Sequence, residues 1–165
     1  MERQLIRTRS IIDDCQQHLD DTNSRNSSIE FYFTQYILIV LCAEVQEKIY
    51  QIIEKRASIT QDAEIKNYVV SSVQRILRSV KKGEISGFLG LFGQHIKEKL
   101  DTFLNDEEIT IYNSAVEQRH NVAHKQGAQI TFNELIKAVD IADKLIDSIY
   151  KALLCKKSNI TRRCT

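Results

Sequence analysis

Apolar residues recur along this chain at helical rather than strand spacing. Leu5, Ile12, Cys15 and Leu19 repeat at heptad-like intervals, which predicts a helix over residues 3–21 with one apolar stripe. The polar stretch from Asp20 to Ser28 reads as a linker, and Ser27 or Ser28 can cap the next helix. Residues 29–56 form the longest and most apolar segment. Phe33, Tyr36, Ile37, Val40, Leu41, Val45, Ile49, Ile52 and Ile53 cover most of its circumference, as expected of a central helix. A third helix is predicted over 62–80, with Ile65, Val69, Val73, Ile76, Leu77 and Val80 on one side. Residues 83–93, GEISGFLGLFG, hold four of the five glycines among Phe88, Leu89, Leu91 and Phe92. They read as the least regular stretch: a mobile loop, a packed turn or an apolar patch for a partner. Further helices are predicted over 94–104, 106–123 and 131–155. In the second of these Asp106, Glu107 and Glu108 favour the first turn, Ile109, Tyr112, Val116 and Ala123 face inward, and Gly127 comes after as a stop. The last opens on Thr131 with Glu134 three positions on, a capping box, and carries the seam Leu135, Val139, Ala142, Ile146, Ile149 and Leu153.

This pattern predicts an all-α fold, a single bundle of about five to six helices. Composition agrees: the chain has no proline and only five glycines, too few for the many tight turns of sandwiches and barrels. At 165 residues, 42% hydrophobic and 27% charged, one domain over 1–165 is expected. Its core lies at about 29–152, and the basic tail 156–165 is expected to fray. A net charge of +1 excludes polyanion binding by bulk charge, so a nucleic-acid surface must be local or built by assembly. Cys15, Cys42, Cys155 and Cys164 form no CxxC pair and read as free thiols of a reducing cytoplasm, with no metal site. No apolar run in MERQLIRTRSIIDD is long enough for a signal peptide, and the run Tyr36–Ala43 is too short for a bilayer, so neither secretion nor a membrane is expected.

Candidate chemistry concentrates in Arg119-His120-Asn121-Val122-Ala123-His124. His120 and His124 share a helical face, whereas Arg119 and His124 do so only if the helix ends or tightens nearby. Three chemistries fit parts of this. HxxxH is a metal-ligand spacing, but Asn121 breaks the HExxH pattern, and Glu117 with His120 makes one ExxH where a di-iron bundle needs two. A nucleophile with a base would need a serine or cysteine tied to these histidines, and no motif ties one. In acid–base cleavage of RNA the substrate's 2′-OH is the nucleophile, so the protein supplies only proton acceptor, proton donor and positive charge. Histidine titrates near neutrality, and arginine is always charged and forked for phosphate oxygens. Arg75, Arg78, Lys81 and Lys82, with Lys125, could touch phosphates or form a solvated basic face at a helix end. Glu44 lies on the apolar surface of its helix. It either pairs with a cation or reaches water at the stripe's edge.

RHNVAH, the apolar YILIVLCAEV at 36–45 with its acidic Glu44, and the patterned terminal helix together resemble a HEPN domain, over roughly residues 29–152. That family comprises higher eukaryotes and prokaryotes nucleotide-binding domains, many of them RNases of toxin and defence systems. The resemblance is closest to stand-alone bacterial members predicted to act in abortive infection. It implies Arg119 and His124 as catalytic, His120 with them, Glu44 and Asn121 in support, and no metal or other cofactor. It implies a homodimer joining two motifs in one RNA-cleaving cleft; the candidate partners are the RNA substrate and a cognate antitoxin or another defence-system protein. The alternative is a non-catalytic HEPN module that binds a partner protein or a nucleotide.

Overall fold

Seven helices run through the described residues, with no strand among them: α1 (Ile6–Asp21), α2 (Ser28–Ala57), α3 (Ala63–Ile76), α4 (Lys82–Gly90), α5 (Gln94–Asp101), α6 (Asp106–Ala123) and α7 (Phe132–Leu154). The computed structural model describes residues 4–123 and 130–155, in α6 without the side chains of His120 and Ala123. α2 is the axis, packing against α1, α3, α6 and α7, while α4 and α5 close one end against α6 and α7. Leu38, Leu41, Val45, Ile49 and Ile53 are fully buried along α2, and the core they build draws on all seven helices. By length and hydropathy α2 could also cross a membrane. Its contacts with four helices give its apolar residues a protein core to enter. Tyr36, expected on the buried face, is instead exposed, together with Tyr32 and Ile39.

Local signals set several helix ends. Ser27 Oγ accepts from Ile29 N, and Thr131 and Glu134 form the expected capping box. α1 is different. It begins at Ile6, and its N-cap Leu5 has no capping side chain. Carboxylates from distant helices take that role. Asp143 Oδ1 of α7 accepts from Gln4 N and Leu5 N at 2.9 and 3.0 Å, and Glu44 of α2 accepts from Arg7 N and Thr8 N at 3.0 and 2.7 Å. The positive end of a helix dipole and its unpaired amides are a natural seat for anions.

The structure corrects the count of helices. The glycine-rich segment is not irregular: α4 runs through it, burying Ile85, Phe88 and Leu89. Gly83 and Gly87 face open space, and only Gly93, at φ +131° against the His95 ring, needs to be glycine. α3 also ends four residues before the predicted Val80, and Ile65 and Ile76 of its expected inner face are exposed.

Candidate functional site

No glycine or proline stops α3. Leu77 leaves helical geometry at φ −84°, ψ 89° because side chains from other helices capture the backbone beyond it. The Leu77 carbonyl accepts from Gln46 Nε2 at 3.3 Å and from Tyr50 Oη at 3.2 Å, both on α2. The Val80 carbonyl accepts from Tyr112 Oη at 2.7 Å, and Lys82 N donates to Asn113 Oδ1 at 2.9 Å, both on α6. Tyr112 is fully buried, so its hydroxyl must find a partner, and burial with Cys42 nearby pushes its pKa well up. A connector over 77–81 is thereby pinned outside helical geometry between α2 and α6.

Pinning the connector opens a cleft of about 410 Å³. Cys42 and Gln46 of α2, residues 78–81 of the connector, and Val116, Glu117, Arg119 and Asn121 of α6 line it. Three cations, Arg78, Lys81 and Arg119, thus share one concavity with a single carboxylate, Glu117, which Lys81 engages at 2.9 Å. Arg119 is exposed, and no hydrogen bond or ion pair to its guanidinium is present among the described residues. Cys42 lies in the floor. Burial raises its thiol pKa to about 11, against the opposing pull of the Arg119 charge, so it stays protonated at neutral pH. Asn121 Nδ2 donates to Gln118 Oε1 at 3.1 Å beside the cleft.

The sequence-predicted residues divide here. Arg119, Asn121, Arg78 and Lys81 come together in the cleft. His124 and Lys125 lie outside the described residues, as does the His120 side chain. Arg75 does not line the cleft. Lys82 turns away to Asp101. Against the upward push of desolvation, hydrogen bonds from Lys82 and Ser86 hold that carboxyl below its ordinary value. Glu44 is corrected most clearly. It needs no cation and does not reach water, because the amino end of α1 and Thr8 Oγ1 at 2.6 Å occupy it. Two residues apart on a helix means about 200° around the axis, so Glu44 faces away from the cleft that Cys42 and Arg119 line and is not placed to orient Arg119. Gln46 and Ser79 carry no motif in the sequence, and Glu117 stands out there only by its ExxH spacing to His120. The separation of Cys42 and Gln46, one turn apart, was the available signal.

Chemically, the cleft suits a polyanion. Two arginines and a lysine converge, and a neutral amide, Gln46, provides hydrogen bonding. Among the described residues no three histidine, cysteine or acidic side chains gather as metal ligands do. A family model described as RiboL-PSP-HEPN matches residues 3–154. No match was found among curated proteins or solved structures.

Proposed function

The chain belongs to the RiboL-PSP-HEPN family, and from that membership we propose that it is a metal-independent endoribonuclease. The supporting observation is the cationic cleft, where the Arg119 guanidinium has no hydrogen-bond or ion-pair partner among the described residues. In this reading phosphate oxygens of a single strand settle against Arg119, Arg78 and Lys81. His124 takes the proton of a ribose 2′-OH, the 2′-oxygen attacks the adjacent phosphorus, and the 5′-oxygen leaves with a proton from the second copy's His124 or from water. The products are a 2′,3′-cyclic phosphate and a 5′-OH. Arg119 from each copy offsets the charge that builds on the phosphorane oxygens. His120 and Asn121 support the motif, and the protein acts in the cytoplasm as a toxin or defence RNase held by a cognate inhibitor.

The exposed apolar residues Tyr32, Tyr36 and Ile39 of α2 favour a second reading, a non-catalytic module that docks a partner protein there. One experiment separates the two. Purified protein is incubated with total RNA in EDTA, and the fragments are analysed for cyclic phosphate ends. The nuclease reading expects such fragments from the wild type and none from His124→Ala. Intact RNA in every sample leaves the docking module.

A further inference from the structure

Gln46 stands one turn beyond Cys42 on α2 and lines the same cleft as Arg119. Its Nε2 donates to Tyr50 Oη at 2.6 Å and to the Leu77 carbonyl at 3.3 Å. Tyr50 donates in turn to that same carbonyl at 3.2 Å. A carbonyl can only accept, so the amide nitrogen must face Leu77 and the amide cannot be turned round. Both amide hydrogens are therefore spent. The remaining polar atom, Oε1, has no partner among the described residues. No buried side-chain polar atom among the described residues goes unpaired, so Oε1 has access to solvent, and Gln46 is one of the residues that line the cleft.

A fixed acceptor among phosphate-binding cations is selective. It repels phosphate oxygens and welcomes a donor. In a nucleotide the donors are base N–H groups, which differ from base to base, and the 2′-OH, which neighbours the phosphate in every ribonucleotide and is missing from DNA. We infer that Gln46 reads the sugar: Oε1 accepts a hydrogen bond from the 2′-OH of the nucleotide that carries the leaving 5′-oxygen, not from the hydroxyl that His124 deprotonates, while Arg119, Arg78 and Lys81 hold the phosphate between the two riboses. The Gln46–Tyr50–Leu77 triad thus has two tasks. It ends α3, which opens the cleft, and it aims one oxygen at the feature that separates RNA from DNA. This rests on the cleft being the RNA site proposed above.

The test is a set of affinities measured in a His124→Ala background, which holds off cleavage. One single-stranded sequence is prepared as RNA, 2′-O-methyl RNA and DNA, and a second sequence of different base content in the same three forms. RNA is expected to bind about three- to ten-fold tighter than the two forms without a 2′ donor, which is the usual worth of one neutral hydrogen bond. The preference should hold in both sequences. Gln46→Met should erase it by weakening RNA more than DNA, since the loss of the Leu77 tether acts on both and the loss of Oε1 on RNA alone. A role confined to tethering Leu77 would instead weaken RNA and DNA equally as Arg78 and Lys81 drift, leaving the ratio intact, and that result overturns the inference. So does a preference that tracks base content, which would mean that Oε1 meets a base. If RNA and DNA bind equally, and both through Arg119 as judged by Arg119→Ala, the sugar reading falls while the polyanion site stands. If nothing binds through Arg119, the proposed site falls and the inference falls with it.

Discussion

At the amino end of α1, Asp143 and Glu44 meet the amides of Gln4, Leu5, Arg7 and Thr8, and Arg9 closes on Asp143 Oδ2 at 2.6 Å. In the cleft, at the far end of α6, Arg119 has no such partner among the described residues. Both regions gather charge where helices meet, yet among the described residues the first pairs its carboxylates fully and the second leaves the Arg119 guanidinium without a partner. Buried carboxylates are tolerated only when fully hydrogen-bonded, so the α1 clamp is what a stable core demands of charge. An arginine held at a concave surface without a counter-ion adds nothing comparable to stability. It is therefore the place to look for a ligand.

Substitutions can break this contrast. Arg119→Ala should show the largest effect, a loss of RNA cleavage of about 100-fold or more, with the unfolding midpoint nearly unchanged because the side chain is exposed. Next comes Glu44→Ala, which unpairs the amides of Arg7 and Thr8 and the Thr8 hydroxyl. Urea unfolding should register about 2–3 kcal/mol of lost stability. Tyr112→Phe leaves the Val80 carbonyl unpaired and should cost about 1–2 kcal/mol. RNA affinity should fall with it as the connector loosens, whereas Glu44→Ala should leave RNA affinity unchanged. Gly87→Ala, in open space on α4, should stabilise by about 0.5–1 kcal/mol and leave cleavage alone. The smallest effect concerns acid. Asp101 is held below the ordinary carboxyl value of 3.8, so its contribution is fully present above that value and lost as pH falls through its folded pKa. Lys82→Met should move acid unfolding to slightly higher pH, measured by far-UV circular dichroism, without touching RNA binding.

How much the sequence made legible depends on range. The Thr131–Glu134 box and the Ser27 cap are local, and both stand where the pattern put them. The nearly all-round apolar α2 announced a central helix. Range also explains the misses. α3 ends at Ile76 because Gln46 and Tyr50, about 30 positions earlier, take the Leu77 carbonyl. Glu44 finds α1 rather than an arginine because α1 has no cap of its own. α4 forms in a glycine-rich stretch because burial of Ile85, Phe88 and Leu89 outweighs the roughly 1 kcal/mol that each helical glycine costs. Of the site, Arg119 stood out by residue type, and the cations at 78 and 81 were visible without their destination. The cleft that gathers them exists only once α2, the connector and α6 are packed together.

The most direct measurement crosses the two regions. Arg9→Ala and Arg119→Ala are each assayed for urea stability and for cleavage of RNA in EDTA at a temperature where both are folded. Opposite outcomes are expected: Arg9→Ala unfolds at lower urea yet cleaves like the wild type, while Arg119→Ala unfolds like the wild type yet leaves RNA intact. Wild-type cleavage by Arg119→Ala would contradict the role given to that guanidinium.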